Sequence, residues 1–303
     1  MEAALEKIPA GARVAVVRLR SLGDCVLTTP ALEILKSSRP DLEIGVVVED
    51  RFASVFENNP DVAAVLTPSL AALRAWRPRL CLNFHGGNRS LRLTLFSGAA
   101  IRAGLAHFSC SWAYHVRIPA PQEILRIHRT AHTAEHLAAA MFYLGAKRRE
   151  VPRAKLFAER PRAAAPYAVF HPVATGEGKT WPAGKFTAVA SHVARQLKLE
   201  PVIIAGPGED LGAFRQFRTM VGAPLGEIKS LMAGASLFVG NDSGPAHMAA
   251  AFGVPVVVIF GRSNPVVWAP WKTASATIVA RGRIEDVSVR EVLDAIERVR
   301  VAA

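Results

Sequence analysis

The chain has 303 residues, half of them hydrophobic, and a formal charge of +12 at pH 7. That length suffices for two domains with separate cores, and the composition excludes a disordered or fibrous chain. No apolar run approaches the roughly 20 residues of a membrane span, and Met1 to Lys7 is too acidic for a signal peptide.

The first elements alternate between short apolar runs and helical stretches. Arg13 to Leu19 (RVAVVRL) predicts a buried strand, Arg20 to Asp24 a loop, and the segment with Ala31, Leu32, Ile34 and Leu35 a helix. Glu43 to Val48 predicts a second strand. Leu80 to Phe84 predicts another, followed by a loop from His85 to Ser90. Such alternation indicates a mostly parallel sheet covered on both faces, with ligands gathered at the carboxyl ends of the strands, where Asp24 and the His85 loop fall. By spacing alone, Asp24 serves equally well as a helix cap.

Charge is spread evenly on the large scale and unevenly on the small. Residues 1–150 carry 19 Lys/Arg against 13 Asp/Glu, and the remainder 18 against 12. Between Asp61 and Glu123 there is no acidic residue, yet Arg74, Arg77, Arg79, Arg89, Arg92, Arg102 and Arg117 lie there. This predicts a positive surface on the first half, suited to a phosphorylated substrate or an acidic membrane. Interleaved aromatics for stacked bases are missing, so nucleic acid is disfavoured.

Thr130 to Gly145 predicts a helix closed by glycine. His128, His132 and His136 recur every four residues, a spacing able to hold a metal, but no further ligand completes the set, and a helix face is expected. Cys25, Cys81 and Cys110 are far apart, which suits reduced thiols of a cytosolic protein and no zinc. Residues 150–166, with three prolines, predict a linker, placing a first domain at 1–160 and a second at 161–303.

The second half repeats the logic. Tyr167 to His171 predicts a strand, Pro172 to Pro182 a loop, and Val202 to Ala205 a strand leading into Gly206-Pro207-Gly208-Glu209-Asp210. Leu237 to Val239 predicts a strand, Gly240 to Gly244 a turn, and Ala246 to Ala251 a helix with Pro245 at its first position and Gly253 at its end. Pro255 to Phe260 predicts a fully buried strand. A small-residue turn opening a helix presents N–H groups to an anion, although Asp242 or Ser243 could simply cap it. No G-x-G-x-x-G or Walker lysine motif is present here. Thr277 to Ala280 predicts a last strand, and Val292, Leu293, Ile296 and Val299 form the apolar stripe of a terminal helix.

Several ordered motifs together resemble glycosyltransferase family 9, the ADP-heptose:lipopolysaccharide heptosyltransferases. They are RLRSLGDCVLTTPAL (18–32), the NRS of the His85 loop, HTAEHLAAAMFYLG, HPVATGEGKTWPAGKF (171–186), NDSGPAHMAAAFGVPVVVIFG (241–261) and SNPVVWAPW (263–271). The resemblance implies an α/β GT-B architecture: two Rossmann-like doubly wound domains with an interdomain cleft, the acceptor on the first and a nucleotide sugar on the second. In that architecture the terminal helix packs back on the first domain.

Activity and residue roles follow from the resemblance. It implies inverting transfer of heptose from ADP-heptose to an anionic, lipid-linked lipopolysaccharide inner-core acceptor. The enzyme would work in the cytoplasm, peripherally at the inner membrane face. Asp24 would be the catalytic base, and Lys179 would face the donor phosphates. Thr175, Glu209, Met232, Asp242, Ser243, Gly244 and His247 would bind the donor, and Arg20, Ser21, His85 and Arg89 the acceptor. No D-x-D sequence occurs, so no cofactor or metal is expected; Lys179 and the helix N-terminus after Gly244 would stabilise the leaving diphosphate. Asn83-Phe84 departs from the family's usual Asp-Leu pair, and Gly176-Glu177-Gly178 replaces a longer loop before Lys179. A related enzyme using another nucleotide sugar, a 2-epimerase and a non-catalytic nucleotide-sugar binder are the competing readings.

Overall fold

A computed structural model describes residues 3–161 and 165–301. The chain divides into two compact units, Met1–Phe157 and Ala158–Ala303. The first contains strands β1 (Arg13–Val17), β2 (Glu43–Val47), β3 (Ala64–Leu66), β4 (Leu80–Asn83), β5 (Ile101–Leu105) and β6 (Val116–Ile118). Its helices are α1 (Leu22–Ser38), α2 (Leu70–Trp76), α3 (Gly87–Leu95), α4 (Pro121–Leu125) and α5 (Thr133–Leu144). The second contains β7 (Tyr167–His171), β8 (Glu200–Ala205), β9 (Arg218–Val221), β10 (Leu237–Asn241), β11 (Val256–Phe260) and β12 (Ser275–Val279). Its helices are α6 (Ala183–Gln196), α7 (Leu225–Ala233), α8 (Gly244–Phe252), α9 (Pro265–Trp268) and α10 (Val289–Val301).

Both sheets are parallel and wound alike. The first runs β3-β2-β1-β4-β5-β6 and the second β12-β11-β10-β7-β8-β9. In each, the chain begins at a central strand, works outward to one edge, then returns to the centre and works to the other. The order therefore reverses between β1 and β4 in the first unit and between β7 and β10 in the second. The loops leaving the carboxyl ends of those neighbours diverge and open a crevice, the usual ligand position of a doubly wound sheet.

The runs that predict strands are apolar on both faces because helices cover both sides. Val14 to Val17 and Val256 to Phe260 are buried throughout. In the first unit, one core cluster joins Ala15, Val17, Val47 and Cys81 to Leu73 and Leu93 from two helices. Helix α1 carries Pro30 in its interior, which removes the N–H that would reach the Val26 carbonyl. The Thr29 hydroxyl donates to that carbonyl instead, at 2.8 Å, so the helix continues. The stripe of α10 (Val292, Ala295, Ile296, Val299) enters the core of its own unit with Phe170, Trp181 and Phe186.

Several boundaries differ from the sequence expectation. Helix α1 begins at Leu22, so Asp24 stands in its first turn and not in a loop. Residues Gly87 to Ser90 belong to α3, because Gly86 takes a positive φ of 72° and turns the chain directly into the helix. Helix α8 starts at Gly244, making Pro245 its second residue, and ends where Gly253 adopts φ 77°. Strands β3, β5, β6 and β9 had no clear signature, being short or lying toward an edge.

Candidate functional site

In the first unit, the crevice between β1 and β4 is built around Asp24. Its carboxylate accepts a hydrogen bond from the Ser21 hydroxyl at 3.0 Å and a long one from the Ser21 N–H at 3.4 Å. Arg18 reaches its other oxygen at 3.2 Å. Asp24 thus satisfies the start of α1 and remains partly exposed, its side chain 23% accessible against 7% for Arg18. Burial lowers the Arg18 pKa, and the Asp24 charge opposes that shift. An anion in the first helical turn also sits favourably with the helix dipole.

His85 joins this group from the loop after β4, its Nδ1 lying 3.1 Å from the Arg20 carbonyl. Burial lowers its pKa, with the Arg18 charge adding to the effect. The loop is held by Asn83, fully buried: its Oδ1 accepts from the N–H groups of His85 and Gly86, and its Nδ2 donates to Tyr114 and Ser90. An aspartate could not make the last two bonds as a donor, which gives a physical reason for asparagine here. Arg20 and Ser21 are exposed. Arg89 stands further along α3 and contacts Glu49 at 3.4 Å. Arg18, the first residue of the motif spanning 18–32, follows β1 directly and is buried.

Neighbouring polar groups elsewhere in this unit serve structure. His132 caps α5, its Nδ1 accepting from the Ala134 N–H. His136 packs near His107, and burial pulls its pKa down to about 4. Among the described residues no set of His, Cys, Asp or Glu is placed to hold a metal ion. Burial raises the Cys25 thiol to about 12 and Cys81 to about 11, which leaves both inert at neutral pH.

In the second unit, the crevice lies between β7 and β10. Asn241, at the end of β10, is fully buried. Its Oδ1 accepts from the Trp181 N–H at 3.0 Å, and its Nδ2 donates to the Pro172 carbonyl at 2.9 Å. One side chain therefore ties both ends of the loop that carries Thr175 and Lys179. The Trp181 ring is itself fixed, its indole N–H donating to the Val287 carbonyl and its ring in a T-shaped contact with Phe186.

Ser243 occupies the N-cap of α8 but does not cap the helix with its side chain. Its hydroxyl donates to the Asn241 carbonyl at 3.0 Å and lies 3.0 Å from His171 Nδ1. A hydroxyl has one proton, so His171 donates from Nδ1 and is the Nδ1–H tautomer. Burial pulls the His171 pKa down to about 4, keeping the ring neutral at physiological pH. As at any helix start, the N–H groups of Ser243 and Gly244 have no intrahelical partner, and no group accepts them elsewhere among the described residues. They form, with the dipole of α8, a cradle for an anion.

Asp242 is adjacent. Burial raises its pKa, while the nearby Ser263 hydroxyl and the Lys179 charge pull it down. Lys179 and Asp242 are thereby brought to one end of the sheet. Gly178 packs against Gly261 so closely that a Cβ on Gly261 would collide with the Gly178 carbonyl oxygen. His247 is buried on α8, with its ring 6.4 Å from that of Trp268. Thr175 is exposed. The Glu209 carboxylate accepts from the Gly206 N–H in its own loop, at 2.5 Å. Met232 is 0% exposed and presents no surface to a ligand. Asn241 and His171 each lie inside one of the motifs, but the groups their side chains meet are 60 residues or more away, which no local pattern marks.

Comparison with known proteins gives the site a context. The sequence model of glycosyltransferase family 9 (heptosyltransferase) matches residues 71–294. Lipopolysaccharide heptosyltransferase 3 of Escherichia coli is 25% identical over 297 residues, covering 84% of each chain. The crystal structure of the family 9 glycosyl transferase from Veillonella parvula superposes with a TM-score of 0.82 at 22% identity, covering 96% of this chain and 98% of that one. E. coli heptosyltransferase WaaC with ADP superposes with a TM-score of 0.79 at 20% identity, covering 95% and 99%.

Proposed function

The chain belongs to glycosyltransferase family 9 (heptosyltransferase), and from that premise we propose that it moves a heptose from ADP-heptose to an anionic, lipid-linked lipopolysaccharide inner-core acceptor, with inversion. The observation that carries this reading is the pair of unspent N–H groups at Ser243 and Gly244, left without an acceptor at the start of α8. A diphosphate fits that cradle. The relatives support the choice of ligand: the WaaC structure is described as one with ADP, and the E. coli relative is named a lipopolysaccharide heptosyltransferase.

The first unit supplies the base. Arg18 holds one oxygen of the Asp24 carboxylate and Ser21 the other, and a remaining lone pair accepts the proton of the acceptor hydroxyl. The acceptor oxygen attacks the anomeric carbon as the bond from that carbon to the diphosphate oxygen breaks. The bonding pair leaves with ADP, and the charge that develops there is met by the Ser243 and Gly244 N–H groups and Lys179. Asp242 would accept hydrogen bonds from sugar hydroxyls, since a carboxylate directly against a diphosphate would repel it. Arg20, Ser21 and His85 border the acceptor. The enzyme would act in the cytoplasm, at the inner face of the membrane; among the described residues no helix is long and apolar enough to cross it.

Calorimetric titration with ADP, UDP and GDP, followed by turnover of ADP-heptose, tests the reading. ADP is expected to bind tightest, and Asp24→Asn to lower kcat about 10²–10⁴-fold, the range of general-base catalysis, with ADP affinity unchanged. Preference for UDP would overturn the donor, and wild-type turnover in the variant would remove Asp24 from its role.

A further inference from the structure

A second concentration of positive charge lies at the other end of the first sheet. Arg79 immediately precedes β4, and its N–H donates to the Arg13 carbonyl at the start of β1; the Ile101 N–H that opens β5 donates to the Arg79 carbonyl. Arg77 caps the end of α2. With Arg74, Pro78, Ser97, Gly98 and Ala100, these residues line an open pocket of about 300 Å³. Asp24 and His85 leave the opposite, carboxyl ends of β1 and β4, a strand length of roughly 15–20 Å away. The pocket is thus no part of the crevice that holds the candidate base.

Three features point to a ligand. All three arginines are exposed, and no ion pair engages them among the described residues. Glu43, which opens β2 at the same end of the sheet, is already bound to Arg13 at 2.7 Å. The stretch that supplies the pocket has no acidic residue from Val62 to Gln122. Finally, Phe96 stands at the rim with 52% of its surface exposed, and its carbonyl accepts from Arg74 Nε at 3.1 Å. An arginine cluster alone suits any anion. An uncovered phenylalanine beside it suits an anion anchored at an apolar interface, where the ring leaves water.

We propose that this pocket binds the phosphate group of an anionic membrane phospholipid, docking the first unit by its amino-end edge. The guanidinium groups pair with the phosphate oxygens and Phe96 enters the headgroup layer. This deepens the membrane-face reading of the function by giving it a named site, and it does not depend on the identity of the sugar or the base.

The test is sedimentation of the full chain with vesicles of phosphatidylcholine alone, or of phosphatidylcholine and phosphatidylglycerol in equal parts. Wild type is expected on the second kind only. Neutralising one arginine near such a surface lowers partitioning about fivefold. R77Q/R79Q, which spares the Arg74 bond to Phe96, should therefore lose roughly 25-fold, and R74Q/R77Q/R79Q roughly a hundredfold. R281Q/R290Q/R298Q, an equal charge change on the second unit, should retain binding. Equal losses in the two triple variants would overturn the pocket in favour of net charge. Binding of inorganic phosphate without vesicle partitioning would overturn the lipid in favour of a soluble anion. Transfer to an acceptor stripped of its lipid should be as fast in R74Q/R77Q/R79Q as in wild type. A loss there would place the arginines in acceptor recognition and overturn the proposal. Vesicle binding is read without turnover, so a wrong donor or acceptor would leave this result untouched.

Discussion

Asn241→Ala is the most informative single change, because one side chain secures both ends of the Lys179 loop. Truncation strands two groups that the amide satisfies, the Trp181 N–H and the Pro172 carbonyl. Each costs about 1–3 kcal/mol if it stays buried without a partner. The Trp181 ring remains held by Val287 and Phe186, so relaxation falls on the loop before it, which can swing its carbonyl to water. A net loss of about 2–3 kcal/mol is expected, and for a unit of this size it lowers Tm by roughly 5–10 °C. The assays are thermal melting, amide exchange across residues 173–180, and calorimetry with ADP. Exchange should quicken in that loop, and ADP affinity should fall about tenfold, equivalent to about 1.4 kcal/mol of ordering now charged to binding. A lowered Tm with loop exchange and ADP affinity unchanged would refute the link between the staple and the donor site. An unchanged Tm would refute the staple itself.

Three further outcomes follow from the same residues. Turnover is expected to persist in EDTA, since in the proposed reaction Lys179 and the Ser243 and Gly244 N–H groups would meet the leaving charge; complete loss restored by magnesium would contradict this. Gly261→Ala drives a methyl into the Gly178 carbonyl, so it should displace the Lys179 loop and weaken ADP binding while Asp24 is untouched, as separate titrations with ADP and acceptor would report. His171 is held neutral by burial, its pKa about 4 in the folded chain against about 6.5 unfolded. The unfolded state therefore binds the extra proton first as pH falls. Stability contributed by this group is intact above about 6.5 and declines between there and about 4. Melting curves of His171→Gln across that window should show a shallower decline than wild type; parallel curves would refute the assignment.

Much of the layout is legible in the sequence, and the gaps have physical causes. Val14 to Val17 and Val256 to Phe260 announce buried parallel strands because both faces are covered, and Gly253 marks the end of α8 because only a left-handed residue fits there. Strand β9 is hidden because it lies at an edge with little burial, and β3 because three residues carry no pattern. Asp24 was legible as a residue but not as part of a helix, since the α1 start depends on Ser21 and Asp24 bonding each other. The roles of Asn241, His171 and Arg18 depend on what the fold sets beside them. Asn241 meets groups 60 and 69 residues away, and no local periodicity encodes such a meeting. Conversely Met232, which the resemblance places at the donor, is sealed in the core of its unit.

The shared winding of the two sheets has an evolutionary consequence. In each unit the candidate site rides on segments that spring from adjacent central strands and then travel to opposite flanks, so neither segment passes beneath the other. Either could lengthen, shorten or be exchanged without rethreading the layers below. Substrate preference within such a scaffold is free to drift by loop replacement, while the strands that launch those loops stay as they are.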